Sequence, residues 1–213
     1  MKWKTENLRP GLIVAVRSYT FIGRTIRWGL RKWSERLHKK YWSDRPRTDP
    51  WANHTGIIVR SPSELVVGEA LAQGSVMTPL ESYIQEHEKK GTECRVYEVL
   101  DADRKDEAAA AQNWFMEIEG TSYDFACYPR LLIKSLFFDI WSKAAGWEWS
   151  NWCTEGVAKS WDDFHPPHID RVFPTKNPTP LTVEQMAGEQ PMKPSQSIRL
   201  RNVTDQMIEQ GVV

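Results

Sequence analysis

Apolar and polar positions along the chain follow two periods, and each period predicts a different element. Short apolar runs rich in β-branched residues predict buried strands, and apolar positions three and four residues apart predict helices. Strands are expected at residues 11–17, 54–60, 64–70, 75–80 and 93–100. Helices are expected at residues 21–37, 79–90, 101–120, 154–164 and 179–188. Strands and helices do not alternate regularly, which predicts an α+β fold with an antiparallel sheet.

The expected helix at 101–120 carries the clearest boundary residues. Asp101 or Asp103 can accept hydrogen bonds from the free backbone N–H groups of its first turn, and Gly120 can end it. Residues 121–149 are rich in aromatic side chains and are expected to form a loop followed by a helix.

Charge is unevenly distributed, although the whole chain has a formal net charge of zero. Residues 1–47 carry a net charge of +10, and the remainder carries −10. The basic amphipathic segment 21–40 can pack on the core with a solvated basic face, or it can contact a membrane or lipid surface. Nucleic-acid binding is not expected, because no recognised motif accompanies the basic residues.

Composition predicts a soluble, cytoplasmic protein. The chain lacks an apolar secretory leader, and its longest apolar run, residues 131–141, is interrupted by two charges. A phage context, with injection or release by lysis, is also compatible with these features. The length of 213 residues fits a single domain over 1–213, with residues 165–213 as a C-terminal extension packed on it.

Cysteine chemistry is the first candidate for function. The three cysteines, Cys94, Cys127 and Cys153, show no paired spacing, so neither a disulfide framework nor a zinc site is indicated. Cys153 stands where the helix at 154–164 should begin. A helix N-terminus lowers the pKa of a thiol, and its free N–H groups can stabilise an oxyanion. The alternative is a small buried residue at a helix start.

A base for this thiol is available in the first half of the chain. His54 opens an apolar strand, and Glu69 lies inside the next one, where a carboxylate is costly without a partner. If the two strands pair, Glu69 can lie beside His54 and fix its tautomer. Cys153, His54 and Glu69 then form a nucleophile, a base and an orienting group.

The other four histidines suggest no comparable set. His38 and His87 lie in charged helical runs and are expected at the surface. His165 and His168 flank two prolines and lack a further ligand cluster, so no metal site is expected. No cofactor is expected either.

Several short motifs, taken in order, resemble a known family. They are "PGLIVAV", "NHTGIIV", "VGEAL", "EGTSYDF" and "NWCTEGV". The series is similar to the circularly permuted papain-like hydrolases, the YiiX-like branch of the NlpC superfamily, which is related to lecithin retinol acyltransferase. The resemblance covers residues 10–164. It implies a permuted papain-like (NlpC-type) fold, in which an antiparallel sheet or small barrel packs against helices and the cysteine lies at a helix N-terminus.

The resemblance also implies roles for individual residues. Cys153 matches the nucleophile, His54 the base, Glu69 the third polar residue, and Tyr123 a tyrosine near the thiol that can bind an oxyanion or shape the substrate pocket. Thr154 stands where many relatives have serine. Trp152, beside the cysteine, is a candidate wall of the substrate groove.

The function expected from these residues is a cysteine hydrolase that cleaves an amide or ester through an acyl-enzyme. The substrate would be an acyl or lipid amide, or a cell-wall-type peptide. Two alternatives stay open: an acyltransferase with the same triad, and a non-enzymatic binding or virion-associated module that retains the fold.

Overall fold

The structure, a computed structural model, describes residues 2–41, 49–100, 102–123, 150–151, 153–162, 180–190 and 199–209. The strands within these ranges are β1 (Lys2–Trp3), β2 (Ile13–Arg17), β3 (His54–Arg60), β4 (Leu65–Leu71), β5 (Gly74–Pro79), β6 (Glu93–Val99), β7 (Ser122–Tyr123), β8 (Ser150–Asn151), β9 (Leu200–Asn202) and β10 (Ile208–Glu209). The helices are α1 (Phe21–Tyr41), α2 (Leu80–Lys89), α3 (Arg104–Asn113), α4 (Cys153–Asp162), α5 (Pro180–Met186) and α6 (Thr204–Met207), with a 3-10 turn at Thr5–Asn7 and a π-helical turn at Trp114–Ile118.

A six-stranded antiparallel sheet, in the order β5-β4-β3-β2-β6-β9, forms the centre of the fold. Its inner strands are apolar at consecutive positions because both faces of the sheet are covered. Ile13 and Ala15 of β2 belong to a core shared with α3 and α4. Val14 and Val16 belong to a second core, shared with α2 and α6. The predicted α+β class, with an antiparallel sheet packed against helices, is confirmed.

The indole of Trp114 fills the space between the sheet and helix α4. It is fully buried, and two glycines lie against it. A Cβ atom at Gly68 of β4 would be 2.3 Å from Trp114 Nε1, and one at Gly156 of α4 would be 2.7 Å from its Cζ3. Because interiors are close-packed, a side chain at either glycine would displace the indole or the helix. The two glycines therefore let α4 approach the sheet closely.

Helix α3 begins after Asp103, one of the two residues predicted to cap it. The carboxylate of Asp103 accepts hydrogen bonds from the N–H groups of Lys105 at 2.7 Å and Asp106 at 3.0 Å. The Asp106 side chain in turn accepts from the Asp103 N–H at 2.9 Å, which completes a reciprocal cap. The chain leaves the π-helical turn through Gly120, whose φ of 76° lies in the left-handed region that ends many helices.

Residues near the C-terminus supply strands that the pattern did not predict. β9 pairs with β6 at the edge of the sheet, and β10 pairs with β1. These strands have only three and two residues, too few to show a period. The assignment of 1–213 to a single domain stays a prediction, and the loop and helix expected within 124–149 lie outside the described residues.

Helix α1 begins at the predicted residue and continues to Tyr41, four residues beyond its predicted end. Across the described ranges, no helix has both the length and the apolar character needed to cross a membrane.

Candidate active site

His54 and Glu69 meet because the register of two neighbouring strands places them on one face of the sheet. Gly56 of β3 pairs with Glu69 of β4. Residues two apart in a strand share a face, so His54 lies diagonally across from Glu69. His54 Nε2 is 2.9 Å from Glu69 Oε2. Glu69 is 6% exposed, and its Oε1 accepts a second hydrogen bond from Thr78 of β5 at 3.3 Å.

Cys153 is the first residue of α4, where backbone N–H groups have no partner within the helix. Its side chain is buried, and the ring of His54 lies close enough to the thiol to lower the pKa of Cys153. Since His54 Nε2 bonds Glu69, Nδ1 is the ring nitrogen that remains for the sulfur. His54 therefore stands between Glu69, to which it is hydrogen-bonded, and the thiol of Cys153.

The pKa values of the cysteine and the histidine shift in opposite directions. Burial alone lowers the pKa of His54, but hydrogen bonds to Cys153 and Glu69, with the negative charges of both groups, raise it to about 10. Burial raises the pKa of Cys153, but the hydrogen bond and charge of His54, with the Thr55 backbone N–H, outweigh burial and lower it. The site therefore favours a thiolate beside an imidazolium.

Two buried threonines add a further donor to the sulfur. Thr55 Oγ1 donates a hydrogen bond to Thr154 Oγ1 at 3.0 Å. The hydrogen of Thr154 thus remains available for Cys153 Sγ, which lies 3.8 Å from Thr154 Oγ1. These threonines directly follow His54 and Cys153 in the chain, so the contact joins β3 to the start of α4.

The loop that leads into His54 is held by a carboxylate from α5, a contact that the sequence reasoning missed. Glu184 is 1% exposed and accepts hydrogen bonds from the backbone N–H groups of Trp51 at 2.9 Å and Ala52 at 2.8 Å. Gln190 Nε2 donates to the same carboxylate at 3.0 Å. Burial raises the pKa of Glu184, and the hydrogen bonds oppose that effect. Glu184 lies 132 residues after Ala52, and no local pattern relates the two.

Tyr123 and Trp152, the remaining predicted site residues, are described only in part. Residue 123 belongs to β7, where it pairs in parallel with Asn151 of β8. This pairing brings the backbone of Tyr123 beside the segment that leads into Cys153. The Tyr123 side chain and the whole of Trp152 lie outside the described part of the chain, so their expected roles stay predictions.

A cavity of about 420 Å³ is lined by the cysteine, the histidine and the glutamate. Its volume is in the range of small-molecule sites, about 300–1,000 Å³. Helix α1 and the neighbouring strands provide apolar wall, and α2 and the strand ends provide polar groups. Among the other lining residues are Ile22, Ile26, Leu71, Gln73, His87 and Thr92.

His87 is not the surface residue that its charged helix predicted. Its side chain is half-buried and lines the same cavity as Cys153. Helix α2 turns this face inward because Tyr83, four residues earlier on the same face, is buried in the core. The spacing of Tyr83 and His87 is the signal that could have placed the histidine correctly. The His38 side chain, His165 and His168 lie outside the described residues.

The sheet that carries the histidine precedes the helix that begins at the cysteine, and this arrangement is the permuted papain-like fold. A comparison with solved structures finds a similar chain in YiiX from Escherichia coli O157:H7, which is described as a metalloprotein and as DUF1105. The match has a TM-score of 0.50 and 20% sequence identity, and covers 92% of this chain and 96% of YiiX. No protein-family model matches the chain, and no curated protein matches it in sequence.

The predicted YiiX-like resemblance is confirmed at the level of the fold. In the described part of the chain, no group of three or more His, Cys, Asp or Glu side chains is arranged to hold a metal ion.

Proposed function

We propose that the protein is a cysteine hydrolase that cleaves an amide or ester bond through an acyl-enzyme. Cys153 is the nucleophile, His54 the general base and acid, and Glu69 the group that orients His54. One observation carries the proposal: His54, hydrogen-bonded to Glu69, lies in one cavity with Cys153, which stands at the N-terminus of α4.

The reaction begins from the thiolate and the imidazolium. Cys153 Sγ attacks the carbonyl carbon, so a sulfur–carbon bond forms and the carbonyl electrons move onto oxygen. The tetrahedral intermediate collapses and breaks the bond to nitrogen or oxygen, and His54 Nδ1 gives its proton to the departing amine or alcohol. Neutral His54 then accepts a proton from water, and the hydroxide attacks the thioester. The acid is released and the ion pair is restored.

The start of α4 is suited to the charge that develops in this reaction. Backbone N–H groups in the first turn of the helix have no intrahelical acceptors, and their dipoles favour negative charge. They are the donors that we propose for the oxyanion, with the Tyr123 hydroxyl as a second candidate. Trp152 is proposed as a wall of the groove. If another acceptor replaced water in the second half, the same groups would carry out acyl transfer.

The proposal is tested by exchanging the nucleophile. Cys153→Ala should abolish turnover of a panel of activated amides and esters, and it should remove labelling by iodoacetamide at residue 153. Cys94→Ala serves as the matched control, because Cys94 is also buried and lies on β6, away from the cavity lining. Turnover by Cys153→Ala at the wild-type rate would overturn the proposal. Prior dialysis against EDTA should leave both readouts unchanged, since the proposed steps use protein groups alone.

A lipid surface is the partner that we propose for helix α1. Phe21 is 84% exposed, Ile22 is 64% exposed and Trp28 is 44% exposed, and the exposed Arg24 and Arg31 lie on the same helix. Exposed apolar side chains beside arginines suit the boundary between the acyl chains and the headgroups of an anionic membrane. Ile22 also lines the cavity, so this surface would bring the cavity close to the lipid.

Vesicle binding tests this partner. The protein should co-sediment with phosphatidylglycerol-containing vesicles at low salt and less well at high salt. Phe21→Ser should weaken binding, whereas Met116→Ser, at a position 66% exposed on the π-helical turn, should not. Failure to bind at low salt would remove the lipid surface from the proposal without affecting the hydrolase.

A further inference from the structure

Helix α2 ends in a way that fixes the position of His87 within the cavity. Gly91 adopts a φ of 60°, its N–H donates to Glu88 O at 3.1 Å, and the Thr92 N–H donates to His87 O at 3.0 Å. This is the Schellman arrangement, in which a left-handed glycine lets the chain fold back over the last turn of a helix. It places the Thr92 side chain against His87.

The hydrogen bonds of Thr92 determine which nitrogen of His87 carries the proton. Thr92 Oγ1 donates to the His87 carbonyl at 3.0 Å, and a carbonyl can only accept. The hydroxyl has no second hydrogen to give, yet Thr92 Oγ1 lies 2.7 Å from His87 Nδ1. Nδ1 must therefore be the donor in that contact. In the neutral ring, Nε2 then carries a lone pair and is an acceptor.

The surroundings keep the His87 ring neutral and fixed in place. Its centroid is 4.2 Å from the centroid of the Tyr83 ring. Burial, together with the positive charges of His54 and Lys90, lowers the pKa of His87 to about 4. The negative charges of Glu69 and Glu86 oppose this shift only in part. Within the described residues, Nε2 makes no hydrogen bond. His87 therefore lines the cavity that also holds the thiol, and its Nε2 is an acceptor that has no partner among the described residues.

We propose that His87 Nε2 is a specificity group that accepts a hydrogen bond from an N–H of the substrate. This inference rests on the proposed hydrolase and adds its substrate class: a peptide-like amide, which carries N–H groups near the scissile carbonyl. A simple fatty acyl ester offers no donor and would leave Nε2 desolvated without a partner. Sites built to bind an N–H discriminate strongly against analogues that lack it.

Two electrophilic probes, one with N–H donors and one without, can test for this preference although the natural substrate is not known. Chloroacetyl-glycine benzylamide carries N–H donors, and chloroacetyl-sarcosine benzyl ester carries none. Each alkylates a thiolate by forming a sulfur–carbon bond and releasing chloride. The rate of alkylation of Cys153 is followed by peptide mass spectrometry, and each rate is divided by the rate of the same probe with glutathione. The wild type should prefer the N–H probe by about tenfold after this correction.

Substitutions at His87 test which atom is responsible. His87→Phe keeps a ring against Tyr83 but has no acceptor, and His87→Asn can keep the donor to Thr92 but does not reach the position of Nε2. Both should lower the preference to about one, whereas His87→Gln, which can place an amide near Nε2, should retain part of it. Lys89→Ala, at an exposed position of the same helix outside the cavity, is the control and should keep the full preference.

The outcomes separate this inference from the function on which it rests. If the wild type, His87→Phe and His87→Asn all show the same preference for the N–H probe, the proposed role of His87 is overturned. The proposed role of Cys153 as the nucleophile would not be affected. Absence of selective labelling at Cys153 by either probe overturns the proposed hydrolase itself. Circular dichroism identifies any variant that fails to fold, and His87→Asn provides the measurement if His87→Phe does so.

Discussion

Two thiols in the described part of the chain are almost equally buried and chemically opposite. Cys94 on β6 is 5% exposed and Cys153 on α4 is 6% exposed. Burial, together with the negative charges of the nearby Glu69 and Glu93, raises the pKa of Cys94 to about 12. Burial also raises the pKa of Cys153, but His54 reverses the shift. Both thiols are excluded from water, so the neighbouring charges and hydrogen-bond donors determine the difference between their pKa values.

This comparison explains why a buried thiol can be either inert or reactive. Cys94 lies in an apolar core with Val14, Val16 and Val96, which offer no donor to a thiolate. Cys153 faces an imidazolium, a backbone N–H and a threonine hydroxyl. In a medium of low polarity, each of these contacts is worth more than it would be in water. Reactivity is therefore expected at Cys153 alone of the two.

The largest change should come from removing the cationic partner. In His54→Ala, Cys153 loses the interactions that outweigh burial, so its pKa should rise above the ordinary value for cysteine, about 8.5. Turnover should fall by a factor on the order of 10⁴. Iodoacetamide labelling of both thiols as a function of pH should show Cys153 behaving like Cys94. If Cys153 kept a low labelling pH in this variant, His54 would not be the source of the contrast.

A smaller change should follow from neutralising the carboxylate behind the histidine. The negative charge and hydrogen bond of Glu69 raise the pKa of His54. In Glu69→Gln, the pKa of His54 should fall from about 10 and that of Cys153 should rise, because a less stable imidazolium supports the thiolate less.

The pH–rate profile of Glu69→Gln should therefore narrow from both sides. The acidic limb reports formation of the thiolate and should move to higher pH. The alkaline limb reports loss of the His54 proton and should move to lower pH. Glu93→Gln is the matched control, because Glu93 acts on the pKa of Cys94 and not on that of His54 or Cys153. A Glu69→Gln profile that overlays the wild type would show that the carboxylate only fills space.

The smallest change should come from Thr154→Val, which removes one donor to the sulfur at nearly constant volume. The pKa of Cys153 should rise by less than about one unit, because His54 and the Thr55 N–H remain. Thr55→Val also removes the hydrogen bond between Thr55 and Thr154, which joins β3 to α4, but it leaves the Thr154 hydroxyl in place. It should therefore lower the melting temperature without changing the pKa of Cys153. If the pKa of Cys153 rose equally in both variants, the cause would be altered packing and not the loss of the Thr154 donor.

Much of the site could be predicted from local signals. The apolar run after His54 predicts a strand, the polar and small residues around Cys153 predict a helix start, and a carboxylate within an apolar strand calls for a partner. These three signals are each contained in a few consecutive residues. The order of the motifs then indicated the permuted fold.

The contacts that escaped prediction join distant parts of the chain. Glu184 binds backbone N–H groups, which no side-chain pattern reveals, and the Thr55–Thr154 bond depends on how α4 approaches β3. His87 was misplaced because its neighbours in sequence are charged, although its helix packs on the sheet at that face. These contacts depend on tertiary packing. A short stretch of sequence contains only one of the two residues that form each contact.

The position of Glu184 along the chain has a consequence for biogenesis. Strands β2 to β6 and helix α2 all lie before residue 100, so a ribosome delivers them early and they can pair with one another. The acceptor for the N–H groups that precede His54 is polymerised 132 residues after Ala52. The order in which this protein is made therefore differs from the order in which the loop before His54 is completed. Until Glu184 is made, the N–H groups of Trp51 and Ala52 lack the acceptor that they have in the complete fold.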